Sequence, residues 1–283
     1  MSSRRTLATW AARSAEALAL SAANELVAAS RLPADGDPAD RARTMVLPIS
    51  GGQILLTLSE LPPCLNLNAL GNPEADGGTT ISAALSILLE DAGVPGNEAA
   101  RLVATLADWI DIDSAERAGG AEDAVYLSRE GGFRTGNQPL GSFHELAPLP
   151  GFTPELRKAM SSGTCILPDR KQPALNVNAL SFDTAPVLRA ASKGSISLAQ
   201  ARRFIDARPA AGWASVQQVR EYALGTGSMG PDFAQLPFSV QGALFQGEGR
   251  AQLDTGDWTF RFLLDTDADG TLKIVWRTFG SAG

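Results

Sequence analysis

A long helical block interrupts a chain that is rich in strand-forming residues on both sides. Ahead of the block, short apolar runs at 45–49 and 53–58 flank the Gly51-Gly52 turn, which is typical of a β-hairpin. After the block, runs rich in β-branched and aromatic residues predict three more strands, at 238–245, 258–265 and 271–279. Because the strands begin before the block and resume after it, we predict one sheet with a long helical insertion.

Residues 6–31 have the spacing of a single amphipathic helix. Its apolar stripe consists of six aliphatic or small residues, Leu7, Ala11, Ala15, Leu18, Ala22 and Leu26. Trp10, Ala17 and Ser21 share a flanking face of the same helix. A helix that lies on an antiparallel sheet is the minimal α+β core, so we predict that fold class.

The helical block contains an internal repeat. The segment Cys-Leu-Asn-Leu-Asn-Ala-Leu at 64–70 recurs as Ala-Leu-Asn-Val-Asn-Ala-Leu at 174–180. Asparagine side chains at this spacing can fix a turn or cap the helix that follows. We therefore divide the chain into four parts, 1–62, 63–170, 171–233 and 234–283, of which the middle two are related helical units.

The second unit resembles competence-type helix-hairpin-helix (SAM-like) modules. The resemblance rests on its Asn-Val-Asn-Ala opening and on the segment Arg-Pro-Ala-Ala-Gly-Trp-Ala-Ser at 208–215. Such modules often bind DNA. The net charge of −7 argues against that use here, because non-specific nucleic-acid binding needs a basic surface.

Start signals divide the block into separate helices. The predicted N-caps are polar residues that precede apolar runs, namely Asn97, Ser142, Thr153, Ser197 and Ser215. The predicted helices span 81–90, 97–112, 142–147, 153–160, 198–207 and 216–224. Pro154 directly after Thr153 supports this start, since proline fits the first helical position.

Carboxylates are concentrated at 107–126, where a strong helix ends. The candidate ligands are Asp108, Asp111, Asp113, Glu122 and Asp123. Gly119 and Gly120 lie between the two groups and allow the chain to fold back. Calcium accepts six to eight oxygen ligands in irregular geometry, so such a loop can hold it. A solvated acidic loop is the alternative interpretation of the same residues.

A second acidic segment is a weaker candidate. Asp265, Asp267 and Asp269 match the start of an EF-hand loop. Trp276 occupies the twelfth position, where that loop needs a bidentate glutamate, and strands are predicted on both sides. We interpret this segment as a hairpin turn.

The sequence offers little support for an active site. Gly225, Gly227 and Gly230 follow a predicted helix and precede a proline, which argues against a dinucleotide site. His144 is the only histidine, so a histidine-based zinc site would need ligands from another chain. Cys64 and Cys165 are the only cysteines, and either two buried thiols or a disulfide fits their positions.

The acidic stretch resembles the K-type minor pseudopilin family of bacterial type II secretion systems. The shared sequence motif comprises Asp-Trp-Ile-Asp-x-Asp at 108–113, Gly-Ala-Glu-Asp at 120–123, Tyr126, Asn137 and Pro139, together with the Asn-x-Asn repeats. The resemblance implies a pilin-like N-terminal helix on an antiparallel sheet, with a large all-α domain inserted in the sheet. It also implies a non-enzymatic subunit at the tip of the periplasmic pseudopilus.

Further expectations follow from this resemblance. It implies calcium at the acidic motif, with Asp113, Glu122 and Asp123 as the preferred ligands and Asp108 and Asp111 in capping or pairing roles. It favours a Cys64–Cys165 disulfide, because the periplasm is oxidising. The implied partners are the I-type and J-type minor pseudopilins, through them the H-type and the major pseudopilin, and secreted substrates. The face of Trp10, Ala17 and Ser21 would contact partner helices, or else be solvated.

The chain departs from the family at its start. Family members carry a short leader and an apolar helix that anchors them in the inner membrane, whereas this sequence begins Met-Ser-Ser-Arg-Arg. We therefore expect a truncated, soluble periplasmic part. A different class of function remains open: a stand-alone calcium-dependent periplasmic binding module, or a hydrolase with an unrecognised site.

Overall fold

A computed structural model describes residues 10, 13, 14, 16, 17, 20, 21, 42–49, 51–72, 75–225, 229–254, 256–266 and 271–281. The predicted apolar stripe of the N-terminal helix lies outside the described residues, as do Gly227, Asp267 and Asp269. The seven described positions between 10 and 21 are all helical, in agreement with the predicted helix.

Five strands form one antiparallel sheet in the described part of the chain. They are β1 Arg43–Ile49, β2 Gly52–Glu60, β3 Leu244–Leu253, β4 Gly256–Thr266 and β5 Leu272–Ser281. Their order in the sheet is β1-β2-β3-β4-β5, and every neighbouring pair is antiparallel. Because β2 pairs with β3 across almost two hundred residues of sequence, the helical block is an insertion in the sheet.

Glycine shapes the first hairpin. Gly51 has φ of +78° and Gly52 has φ of +154°, values that other residues rarely adopt. A Cβ atom at Gly52 would also lie 1.9 Å from the carbonyl oxygen of Gln252 on β3. The turn therefore requires glycine, as the sequence predicted.

The first predicted strand of the C-terminal group is wrong in its bounds. Residues 238–239 belong to a separate short pair, and β3 continues to Leu253 through a glycine-rich segment that the sequence did not predict as a strand. Phenylalanine rings from β4 cover these glycines: a Cβ atom at Gly249 would lie 1.9 Å from Phe260 Cζ, and one at Gly247 2.1 Å from Phe262 Cζ. The ring packing explains why glycine, usually depleted in strands, is accommodated here.

The N-terminal helix lies against this sheet. Leu20 packs on the sheet's core, which contains Ile54, Leu56 and Phe262 among its buried residues. Glu16 is buried and forms an ion pair with Arg277 of β5, with 3.3 Å between Oε2 and Nη1. These contacts confirm the helix-on-sheet core.

Within the described residues, the regular structure of the insert is mainly helical. They are α1 Ala75–Asp91, α2 Gly96–Ile110, α3 Asp123–Leu127, α4 Pro154–Ser161, α5 Ala185–Ala191, α6 Leu198–Asp206, α7 Val216–Gly225 and α8 Pro231–Ala234. Short 3₁₀ helices span Leu67–Gly71, Phe143–Leu146, Val177–Ala179 and Phe182–Thr184.

Most predicted helix starts are confirmed. Ser142, Thr153, Ser197 and Ser215 each accept a backbone hydrogen bond at the start of a helix. Asn97 is not an N-cap, because Glu98 N and Ala99 N already donate to Pro95 O and the hydrogen-bonding pattern begins there.

Both helical units open with an Asn-x-Asn turn, Asn66 and Asn68 in the first and Asn176 and Asn178 in the second, and close with a short parallel strand pair. In the first unit Leu65–Asn66 pairs with Thr164–Cys165, and in the second Leu175–Asn176 pairs with Phe238–Ser239. The second unit thus closes a few residues beyond position 233.

A disulfide joins Cys64 to Cys165, with 5.7 Å between the two Cα atoms. It packs against Leu167 of the insert and Leu263 of β4, so it lies where the insert meets the sheet. This confirms the pairing that the resemblance favoured.

Candidate metal centre

Helix α2 places Asp108 on the inside of the acidic loop. Its carboxylate is fully buried and accepts hydrogen bonds from Arg117 N at 3.2 Å, Ala121 N at 2.9 Å and Arg117 Nη1 at 2.7 Å. A Cβ atom at Gly120 would lie 2.0 Å from Asp108 Oδ2, so the loop closes on this carboxylate only with glycine there. Asp108 therefore fixes the path of the loop.

Arg117 connects Asp108 to Asp111, one turn further along the chain. Its Nη1 atom donates to carboxylate oxygens of both residues. Burial raises the pKa of Asp111 above its ordinary value of 3.8, although Arg117 opposes the shift. The second carboxylate oxygen of Asp111, Oδ1, is buried and has no hydrogen-bond partner.

Glu122 is the most exceptional carboxylate in the loop. It is 4% exposed, and neither of its oxygens has a partner at hydrogen-bonding geometry, although Thr135 and the backbone of Asp123 lie close enough to oppose the rise of its pKa. Burial raises its pKa above the ordinary value of 4.5, and the nearby carboxylates of Asp108 and Asp111 raise it further. An ionised carboxylate in such a place is very costly unless a cation or a proton neutralises it.

Asp123, directly after Glu122, has a different environment. Its Oδ1 accepts hydrogen bonds from Thr135 N at 2.9 Å and Thr135 Oγ1 at 2.8 Å, and its Oδ2 from Arg134 at 2.7 Å. The bonds from Thr135 are the main reason that the pKa of Asp123 is lowered. These donors occupy Asp123 and tie the end of the loop to the start of α3.

Three of the five candidate ligands converge. One carboxylate oxygen each from Asp111, Asp113 and Glu122 lies within 4.8 Å of the others. Asp111 and Glu122 are buried, whereas Asp113 is exposed and also accepts a hydrogen bond from Ala115 N at 2.8 Å. The structure thus groups Asp111, and not Asp123, with the two other preferred residues.

Aromatic side chains form one wall of this site. Trp109 contacts Tyr126 edge-on, with 5.3 Å between ring centroids, and the Phe133 ring lies tilted against Tyr126 at the same centroid distance. Tyr126 is fully buried and burial raises its pKa to about 12. Charges beside such an apolar wall interact more strongly than in water, which favours binding of a cation by the carboxylates.

The donor set fits a hard divalent cation. Calcium binds carboxylate oxygens in irregular geometry. Asp111, Asp113 and Glu122 offer such oxygens, and those of buried Glu122 accept no hydrogen bond from the protein. Asn137 belongs to the shared motif but was not predicted as a ligand, and its Oδ1 atom is also buried and without a hydrogen-bond partner.

The predicted partner face is exposed. Trp10 is 65% exposed, and Ala17 and Ser21 are exposed beside it. Among the described residues, no helix has both the length and the hydropathy of a membrane-spanning segment.

Two family profiles match the chain, both described as type II secretion system (T2SS), protein K. They match residues 63–169 and 175–241, which together make up more than half of the chain. Each profile begins at one of the two Asn-x-Asn repeats, so the profiles divide the helical block into the same two units. The chain therefore belongs to the type II secretion system protein K family.

Curated relatives agree with this assignment. Type II secretion system protein K of Klebsiella pneumoniae is 36% identical over 171 residues, which are 59% of this chain and 52% of that protein. The protein of the same name from Pectobacterium carotovorum subsp. carotovorum is 28% identical over 242 residues, which are 82% of this chain and 72% of that protein. The chain spans about half of the length of the Klebsiella relative.

A solved structure has the same fold. The GspK-GspI-GspJ complex from the enterotoxigenic Escherichia coli type 2 secretion system contains a chain that is 25% identical and superposes with a TM-score of 0.80. The match covers 99% of this chain and 98% of that chain. The α+β fold that the sequence predicted is confirmed.

Proposed function

We propose that this chain is a non-enzymatic structural subunit that caps the tip of the periplasmic pseudopilus of a type II secretion system. I-type and J-type minor pseudopilins are its direct partners, and the H-type and major pseudopilins follow below them. The proposal is supported by the bulky helical insert between β2 and β3 of a helix-on-sheet body. Head-to-tail stacking continues indefinitely unless something ends it, and a subunit too wide to be followed by another does so. The similar solved chain comes from a complex of GspK, GspI and GspJ.

Gel filtration of the chain mixed with purified I-type and J-type pseudopilins tests this proposal. We expect a stable ternary complex that the double substitution Ala17→Glu and Ser21→Glu disrupts, because these exposed small residues would contact partner helices. Phe182→Glu, at an exposed apolar residue of the second helical unit, is the matched control. Elution of the wild-type chain as a separate peak would refute the assignment.

We further propose that calcium binds the acidic loop in a structural role, with Asp111, Asp113 and Glu122 as ligands. Asp108 and Asp123 hold the loop from either side through their hydrogen bonds. The unpaired oxygens of buried Glu122 support this proposal, because calcium would supply the positive charge that the protein does not. The ion would fix the loop and perform no chemical step.

Thermal unfolding with calcium and with a chelator tests the calcium proposal. A ligand that binds only the native state stabilises it by about 2.7 kcal/mol at a hundred times its dissociation constant. We expect Glu122→Gln to remove this increment, whereas Glu116→Gln, at an exposed carboxylate of the same loop, leaves it unchanged. Equal midpoints of the wild-type chain with calcium and with chelator would refute calcium binding.

The alternative function, a stand-alone calcium-dependent binding module or hydrolase in the periplasm, makes a different prediction. It requires turnover or retention of a substrate by the chain alone. Assays with the purified chain, without I-type and J-type partners, separate the two functions.

A further inference from the structure

We infer that Asn137 supplies an additional, neutral oxygen ligand to the calcium ion of the acidic loop. This inference rests on the calcium proposal above and extends it to a residue on the returning segment of the loop. Asn137 Oδ1 is buried and has no hydrogen-bond partner, which is also true of Glu122 Oε1, Glu122 Oε2 and Asp111 Oδ1.

Backbone contacts place Asn137 beside the ligand residues. Its N–H donates to the carbonyl oxygen of Trp109 at 3.0 Å, two residues before Asp111. Two residues earlier, Thr135 donates twice to Asp123, the neighbour of Glu122. The segment 135–137 therefore crosses from the start of α3 to the end of α2, the two places from which Glu122 and Asp111 project.

The backbone of Asn137 is held in an uncommon conformation. Its φ is +45°, in the left-handed region, which among non-glycine residues asparagine tolerates best. The preceding Gly136 runs so close to Trp109 that a Cβ atom there would lie 3.2 Å from the indole ring. The surrounding contacts thus fix the orientation of the Asn137 backbone, although its side-chain oxygen has no partner in the protein.

The coordination chemistry of calcium favours the amide oxygen of Asn137 as a ligand. Calcium needs six to eight oxygens, and three carboxylates supply at most six even when each is bidentate. One oxygen of Asp111 is already engaged by Arg117, which reduces that number. Amide oxygens of asparagine are ordinary calcium ligands and add no further negative charge to a buried site.

Two substitutions at the same position test the inference. Asn137→Gly removes the oxygen but tolerates the positive φ, and Asn137→Asp keeps an oxygen at the same place. Lys193→Gly is the matched control, because Lys193 also has positive φ, +53°, and lies in the second helical unit. Isothermal titration with calcium alone gives the dissociation constants, and thermal unfolding in chelator gives the stability of the ion-free chain.

We expect calcium to bind Asn137→Gly about tenfold more weakly than wild type, and Asn137→Asp at least as tightly as wild type. Lys193→Gly should bind as wild type does. In chelator, the midpoint of Asn137→Gly should not fall below that of wild type, since the deleted oxygen has no protein partner to lose. Wild-type affinity in Asn137→Gly would overturn the inference, as would a midpoint lowered equally with calcium and with chelator. Absence of calcium binding by the wild-type chain would instead refute the calcium proposal itself.

Discussion

Both helical units use the same asparagine clamp, in which Asn68 or Asn178 at the start of the unit bonds to backbone that returns later in the chain, but the connections to it differ greatly in length. In the first unit, Asn68 donates to Leu140 O at 3.0 Å and Leu167 O at 2.8 Å and accepts from Leu140 N at 2.7 Å. In the second, Asn178 makes the same three bonds to Trp213 and Val240, at 3.0, 3.0 and 2.7 Å.

The chain reaches the clamp by a long path in one unit and a short path in the other. Helix α6 ends at Asp206, seven positions before Trp213, whereas α2 ends at Ile110, thirty positions before Leu140. A turn with Gly212 at φ of +71° is sufficient for the short connection. The long connection buries the carboxylates of Asp111 and Glu122 next to the apolar Tyr126, and the oxygens of Glu122 accept no hydrogen bond. The acidic loop is thus an elaboration of the shared repeat, and it is the part of the repeat for which we propose a bound cation.

The largest expected effect is the loss of stability on removal of the Cys64–Cys165 disulfide, which only the first unit contains. Only the first unit contains cysteines, and its disulfide closes a loop with a sequence separation of 101. Replacing both cysteines by serine should lower the free energy of unfolding by about 4 kcal/mol in the chain-entropy model. Urea unfolding measures it. In variants that keep Trp109 or Trp213 as the single tryptophan, Trp109 fluorescence should report the loss before that of Trp213, and simultaneous transitions would show that the units unfold as one.

The clamps themselves are expected to contribute almost equally. Asn68→Ala and Asn178→Ala each remove hydrogen bonds to three backbone groups, which should cost about 3 kcal/mol in either unit. Chemical denaturation of both variants measures the free energies. A cost for Asn178 much larger than that for Asn68 would indicate that the long loop already weakens the first clamp.

Calcium removal should affect only the long connection. The backbone amides of Arg117, Ala121 and Thr135 donate to loop carboxylates, and we expect chelation to accelerate their hydrogen exchange by about tenfold or more. The amide of Trp213, which donates to Asn178 in the ion-free unit, is the internal control. Equal acceleration at Trp213 would mean that calcium stabilises the whole chain and not this loop.

Much of the fold could be predicted from local patterns. The Asn-x-Asn repeat identified the two units because short polar side chains beside apolar positions fix a turn locally. The strand at 246–253 could not be predicted, since Gly247 and Gly249 are explained only by phenylalanine rings on a strand that follows later in the chain. Helix ends were predicted to within a few residues wherever a serine or threonine cap was present.

The site was predicted in composition but not in geometry. The sequence indicates that the carboxylates are concentrated at 107–126, yet it does not show which of them find donors inside the protein. Asp123 is engaged because Thr135, twelve positions away, donates to it twice. Asp111 keeps one free oxygen because Arg117 engages only the other. These outcomes depend on how the loop returns, which no local pattern encodes.

The smallest expected effect is a pH dependence confined to the long connection. In the calcium-free chain, burial raises the pKa of Glu122 above 4.5 and that of Asp111 above 3.8. The native state therefore binds these protons more tightly than the unfolded chain does, so the midpoint should fall as pH rises from about 4 through the raised native pKa values, and then level off.

Asp123 should change the stability with pH in the opposite direction to Glu122 and Asp111. Hydrogen bonds from Thr135 lower its pKa, so its stabilisation is present above 3.8 and is lost only as pH falls through the lower native value. Thermal unfolding of calcium-free wild type, Glu122→Gln and Asp123→Asn across this range separates the two contributions. Glu122→Gln should flatten the slope above pH 4, and calcium should reverse that slope in wild type, because the ion binds the deprotonated carboxylates and displaces their protons. Identical slopes in wild type and Glu122→Gln would show that Glu122 titrates normally, and the contrast between the two connections would then rest on their length alone.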